Sequence, residues 1–104
     1  MKILLTGFDP FGGEKVNPAW EAVKQVRDEI KGSEIVKLEI PTVFGKGPQK
    51  IAEKIEEINP DVVLSIGQAG NRSCVSVEYV GVNARVARIP DNEGNEPMYE
   101  KIQE

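Results

Sequence analysis

Residues Ile3-Leu-Leu-Thr-Gly-Phe-Asp-Pro-Phe-Gly-Gly13 decide how the rest of the chain is read. An apolar run passes without a break into a loop of Gly, Asp and Pro, the residues that let a backbone turn tightly. Residues 2–6 are therefore predicted to form a buried strand, with the loop at its carboxyl end, where open α/β sheets collect their ligands. Phe8 and Phe11 are the unusual part of that loop. A turn has no use for two large rings, so they either pack down as a cap on the core or stand as walls of a pocket for a flat, largely neutral ligand.

Asn17-Pro18 offers an N-cap followed by proline at the first helical position. Ala19, Ala22, Val23, Val26 and Ile30 recur at helical spacing until Lys31-Gly32-Ser33 supplies a stop, which predicts a helix reaching Ile30. Glu34 to Ile40 alternates, with Val36, Leu38 and Ile40 on one face and Lys37 and Glu39 on the other, and predicts a strand exposed on one side, near an edge. After a short loop holding Phe44, a second helix is predicted to turn Ile51, Ala52, Ile55 and Ile58 inward and to end at Asn59-Pro60. Asp61 to Ile66 reads as a third strand, and Val62-Val63-Leu64 has the character of a central parallel strand buried on both faces.

This order is βαβαβ. Right-handed crossovers put the second and third strands on either side of the first, one helix on each face, and a crevice beyond the first strand. The expected class is α/β with a mixed, mainly parallel sheet, in a single domain over residues 1–104. Further on, Gly67-Gln-Ala-Gly-Asn-Arg-Ser73 is a second polar loop at the carboxyl end of a strand, placed to converge with the first. Cys74 to Val80 alternates like another strand, and Pro90-Asp-Asn-Glu-Gly94 reads as a turn. Pro97 to Glu104 is too short and charged to form a stable element alone.

Composition narrows the function. With 39% apolar and 29% charged residues, the balance is that of a globular protein. No apolar run approaches the ~20 residues that span a bilayer. The opening apolar stretch is also shorter than the ~7 to 15 residues at the heart of a secretory leader. No membrane partner and a cytoplasmic location are expected. The net charge of −4 resides in residues 91–104, where five carboxylates face one lysine. With the remainder balanced and no basic face, nucleic acid is not an expected partner. One cysteine rules out an internal disulfide, and with no histidine beside it a structural metal site is not expected. The missing histidine also removes the side chain that most often does acid–base work near neutral pH.

Nucleotide-binding motifs fail. Gly7-x-x-x-x-Gly12 begins like a phosphate-binding loop, but Gly13-Glu14 stands where Lys and Ser or Thr are required, and G-x-G-x-x-G is absent from both glycine-rich loops. Cys74 has no histidine to activate it, and Glu78, four residues along the same extended run, lies roughly 13 Å away at ~3.3 Å per residue. It is read as a small buried strand cysteine with a structural role. Glu78, set in an apolar run, must have a partner or lie on an exposed edge. Gln68 is placed to donate to and accept from a ligand amide. Arg72 and Arg88 can orient a carbonyl or carboxylate, or pair at the surface.

Taken together, Gly7-Phe-Asp-Pro-Phe-Gly-Gly13, Asn17-Pro18, Pro41-Thr-Val-Phe44, Gly67-Gln-Ala-Gly70 with Arg72, Glu78, Asn83 and Ala87-Arg-Ile-Pro-Asp-Asn-Glu-Gly94 make the chain resemble the amino-terminal half of the pyroglutamyl-peptidase I family, also called pyrrolidone carboxylate peptidases. The resemblance implies a three-layer α/β/α fold, truncated relative to the family, and a cysteine peptidase that removes amino-terminal pyroglutamate from peptides with a Cys-His-Glu triad and no cofactor. Glu78 matches the triad glutamate, which orients the imidazole. Phe8 and Phe11 match the aromatics that pack on the pyroglutamyl ring, Gln68 a polar residue of the pocket, and Arg88 a residue close to the reacting carbonyl. Asn71 stands where the family commonly has glycine, and Gly81 and Val86 replace an alanine and an acidic residue of the usual pattern.

The resemblance also implies that the nucleophile and the histidine come from a part of the family fold beyond these residues, and that Cys74 is not the nucleophile. The chain alone is therefore expected to be inactive. The alternative is a non-catalytic binding or assembly module, which captures the pyroglutamyl lactam or serves as one half of a split enzyme. A homo-oligomer, or association through exposed apolar surface, is expected for a fragment, whereas an adapted stand-alone protein would be a stable monomer or defined dimer.

Overall fold

The computed structural model describes all 104 residues. Its elements are β1 (Lys2–Phe8), α1 (Pro18–Gln25), β2 (Glu29–Ile30), β3 (Ser33–Ile40), α2 (Lys46–Ile58) and β4 (Val62–Ile66). The sheet runs β2-β3-β1-β4. β1 pairs in parallel with β3 and with β4, while β2 pairs antiparallel with β3. Apart from the unpredicted β2, the βαβαβ order and the central place of β1 agree with the sequence reading.

The two faces of β1 meet different helices. On one face Leu5 joins Val23 of α1 and Ile35 of β3 in a buried cluster, with Trp20, Val26, Ile30 and Ile66 packed around it. Gly7 lies on that face so close to α1 that a methyl group there would sit 2.8 Å from the Trp20 Cα. On the other face Leu4 and Thr6 are fully buried, and the Phe8 ring reaches Gly47 at the start of α2. The result is a helix, a mixed sheet and a helix in three layers.

α1 begins as its sequence predicts. Asn17 sits in extended conformation, its Oδ1 accepts from the Ala19 N–H at 2.9 Å, and Pro18 takes the first helical position. It ends five residues early. Lys31 and Gly32 both have positive φ, 49° and 81°, and the pair closes a two-residue hairpin that places Glu29 and Ile30 in β2. Ile30 still packs on the core, from a strand rather than from the predicted helix. The face of β3 read as exposed is partly covered, because Lys37 lays its stem under α1 and donates from Nζ to the Lys24 carbonyl at 3.1 Å.

Four further expectations are corrected. β4 is an edge strand, not a central one: Val62, Val63 and Leu64 are 41%, 39% and 51% exposed. Along α2, Ala52 and Ile55 of the predicted inward stripe are exposed as well. Residues 74–80 form no strand, and Cys74, read as buried, is exposed. Val75, Val77 and Tyr79 project almost wholly into solvent. The accessible surface of 7917 Å² is consequently well above the ~5,800 Å² of a folded monomer of this mass. Among the exposed large apolar residues are Val62, Val63 and Leu64 of β4, Ile55 of α2, and Val75, Val77, Tyr79, Val80 and Val82. No helix is long and apolar enough to cross a membrane.

Residues 83–103 carry little regular structure yet are not loose. Asn83 Oδ1 accepts from the N–H groups of Ile102 and Gln103, Arg85 and Glu100 exchange both backbone hydrogen bonds, and the Ala87 N–H donates to the Pro97 carbonyl. Pro97 to Glu104, too short to stand alone, is held as the return arm of this irregular hairpin.

Candidate functional site

The carboxyl ends of β1 and β3 and the tip of the 83–103 hairpin meet at one place. Phe8, half-buried at the end of β1, shares with Val43, Phe44, Pro48, Ala84 and Ile102 the apolar lining of a cavity of about 470 Å³, with Thr42, Arg85 and Asp91 among its polar groups. The Phe8 ring also comes within 3.8 Å of where a side chain on Gly67 would begin, so the loop after β4 starts against it. The first and second glycine-rich loops thus converge at Phe8. Apolar walls with a few polar groups at the rim are what a small neutral ligand requires.

Phe11 follows on the same loop, also half-buried. Gly12 and Gly13 reverse the chain there with φ of 65° and 79°, and the Glu14 N–H closes the turn on the Phe11 carbonyl at 3.2 Å. Such φ values are what the Gly-Gly pair is for.

The remaining site candidates lie in the open. Gln68 and Arg88 are exposed. Glu78 is 79% exposed and pairs with Arg72 Nη1 at 3.2 Å. It therefore has both the partner and the exposure that its sequence context demanded, and a pair this exposed contributes only about 0–1 kcal/mol. Of the five predicted site residues, only Phe8 lines the cavity, and Phe11, Gln68, Glu78 and Arg88 do not. No group of three or more His, Cys, Asp or Glu side chains is arranged to hold a metal ion.

Two residues that sequence reasoning passed over organise the site. Asp91 opens the 91–95 turn: its Oδ1 accepts from the N–H groups of Glu93 and Asn95, both at 2.9 Å, and its Oδ2 from the Phe44 N–H at 2.8 Å and from Asn95 Nδ2 at 2.9 Å. Asn92 then reaches across to the first loop. The Pro-Asp-Asn-Glu-Gly run signalled a turn, but not that the turn is fastened 47 positions back, to the segment after β3.

Partial burial pushes the Asp91 carboxyl up, but the hydrogen bonds from Phe44, Asn95 and Glu93 outweigh it and hold the group at about 2, below its ordinary 3.8. A depressed folded value means that the carboxylate stabilises the turn at every pH above 3.8, and that this contribution fades as pH falls through about 2. A carbon-detected NMR titration of Asp91 is expected to show a midpoint near 2, with the Phe44 amide shifting in step. A midpoint near 3.8 would show that the turn does not grip Phe44 in solution.

Comparison with known proteins places this geometry in context. The family model described as pyroglutamyl peptidase matches residues 1–104. The pyrrolidone-carboxylate peptidase of Treponema denticola is 64% identical over 102 residues, covering 98% of this chain and 47% of that protein. The one from Finegoldia magna is 62% identical over 104 residues, covering 100% of this chain and 49% of its own. Among solved structures, pyroglutamyl peptidase I from Bacillus amyloliquefaciens superposes with a TM-score of 0.93 at 49% identity, over 99% of this chain and 50% of that one. A mutant pyrrolidone carboxyl peptidase from P. furiosus also gives 0.93, at 43% identity over the same shares. The chain spans about half the length of the curated relatives it matches.

Proposed function

Because the chain belongs to the pyroglutamyl peptidase family, we propose that it carries the substrate-recognition portion of a cysteine peptidase that removes amino-terminal pyroglutamate from peptides, and that by itself it binds the pyroglutamyl lactam without cleaving it. The observation that carries this reading is Phe8, at the carboxyl end of the central strand, with an apolar cavity against it and Phe11 on the same loop. A lactam ring is flat and neutral, with one N–H donor and one carbonyl acceptor. It gains from aromatic faces and from an amide such as Gln68, and little from a charged pocket.

In this reading Glu78 orients an imidazole supplied by polypeptide beyond these residues, and Arg88 stands near the reacting carbonyl. No chemistry follows within the chain itself. Cys74 is a thiol with no histidine in the sequence to take its proton, and it lies exposed on an irregular segment. Calorimetry is expected to give saturable heat with pyroglutamate and none with proline, which lacks the lactam carbonyl. Absence of heat with pyroglutamate overturns the recognition claim. Release of product from a pyroglutamyl chromogenic substrate, lost on Cys74→Ala, overturns the claim of inactivity.

The exposed apolar surface favours a second, compatible reading, in which the chain is an assembly module or half of a split enzyme. The free edge of β4 with Val62, Val63 and Leu64, and the extended run of Val75, Val77, Tyr79 and Val80, ask for a covering partner. An excess of roughly 2,000 Å² on one chain exceeds the ~800 Å² that each partner buries in a standard interface and falls in the range of obligate ones. Without another partner, the chain is expected to sediment as a dimer or larger species, and a monomer at tens of micromolar would contradict this.

A further inference from the structure

The loop that carries Phe8 and Phe11 leaves the sheet at Asp9, and it is held from outside itself. The Asp9 N–H donates to the Ile40 carbonyl at 2.8 Å, extending the pairing of β1 with β3. Asp9 Oδ1 then accepts from the Thr42 N–H at 2.8 Å, from the Thr42 hydroxyl at 2.8 Å and from Asn92 Nδ2 at 3.2 Å. The second proton of Asn92 Nδ2 goes to the Pro10 carbonyl at 2.8 Å, while the Asn92 N–H donates to the Thr42 carbonyl at 3.0 Å. On the other side, Asn17, the N-cap of α1, donates from Nδ2 to the Asp9 carbonyl at 3.1 Å.

These bonds land on residues 9 and 10, immediately between the two rings. Beyond them the loop has little to hold it: side chains at Gly12 or Gly13 would touch nothing within 4 Å, and a single hydrogen bond, Glu14 to Phe11, spans the turn. Hydrogen bonds to an ionised carboxylate are roughly twice as strong as neutral ones, and three donors converging on one oxygen fix a direction as well as a distance.

We propose that Asp9, braced by Thr42 and Asn92, is a positioning residue that holds Phe8 and Phe11 at the spacing that receives the lactam ring. This rests on the recognition reading above. It also makes the 91–95 turn, 83 positions from Asp9 in sequence, part of the recognition apparatus. Neither Asp9 nor Asn92 touches the ligand. Their effect is to spare the rings an ordering cost when the ligand binds.

Asp9→Ala, Asp9→Asn and Asn92→Ala, compared with the unaltered 104-residue chain by NMR, test this. Asparagine keeps an acceptor oxygen in the same place, and alanine does not. Both alanine variants are expected to raise the Kd for pyroglutamate about tenfold, with Asp9→Asn within about threefold, while the amide signals of α1 and β4 stay in place. An Asn92→Ala chain, altered only at an exposed side chain, keeps the test valid if Asp9→Ala folds poorly. A Kd within twofold of the original in both alanine variants overturns the proposal. If the unaltered chain binds no pyroglutamate, the recognition reading fails by itself, and the clamp is judged on backbone order at residues 9–13. Order lost in the alanine variants and kept in Asp9→Asn sustains the clamp, and equal order in all four chains overturns it.

Discussion

Gly7→Ala will be the most damaging single methyl group that can be added to this chain. Gly7 stands in the central strand where α1 crosses it, and a Cβ there would lie 2.8 Å from the Trp20 Cα, 3.0 Å from the Trp20 nitrogen and 3.2 Å from the Ala19 carbonyl carbon. These are backbone atoms, so no rotamer change relieves the clash, and the helix itself must back away. Moving it uncovers Ala19 and Val23, two of the few buried apolar side chains. Overpacking of this kind costs about 1–3 kcal/mol and more where backbone must shift. A domain of this length has about 5–15 kcal/mol in all. With only 11 of 104 residues buried, this chain belongs at the low end. The urea midpoint of Gly7→Ala is expected to fall by a third or more. Gly70→Ala, where a side chain meets nothing within 4 Å, should leave it unmoved. Equal midpoints for the two variants would mean that α1 does not dock on β1 as described.

Phe8→Ala carries the largest expected effect on recognition. The ring stands between Gly47 and Gly67 and forms one wall of the cavity, so alanine leaves a gap that neither neighbour, lacking a side chain, can fill. Loss of an aromatic face costs a ligand about 0.5–1.5 kcal/mol beyond the buried area, so affinity for pyroglutamate is expected to drop at least tenfold, which is ~1.4 kcal/mol. Phe8→Leu keeps the apolar volume without the flat face and should fall between. Affinity in Phe8→Ala equal to that of the original chain would return Phe8 to the role of a core cap.

Local signals account for what the sequence made legible. The N-cap at Asn17 with Pro18, the αL stop at Asn59 and the glycines of the first loop each declare themselves within a few residues. Ile30 misled because one apolar residue fits a helical stripe and a two-residue strand equally well, and Lys31-Gly32 ends either one. The errors at β4 and at residues 74–80 have a different cause. Apolar runs and alternation report what a segment is suited to be covered by, and here Val62 to Leu64 and Val75 to Val80 meet solvent instead. Asp9, Asp91 and Asn92 were missed because their work is done across the fold, between segments that no periodicity connects. Local chemistry singled out Gln68, Glu78 and Arg88 and the family resemblance gave them roles, and in this chain all three lie exposed, away from the cavity at Phe8.

The central claim is recognition without chemistry, and one sample can test both halves. A short peptide with amino-terminal pyroglutamate, titrated into the labelled chain by NMR, is expected to move the ring signals of Phe8 and Phe11 saturably while the peptide's own resonances remain intact over days. A titration in which those rings do not respond, or one in which free pyroglutamate accumulates, would contradict the account.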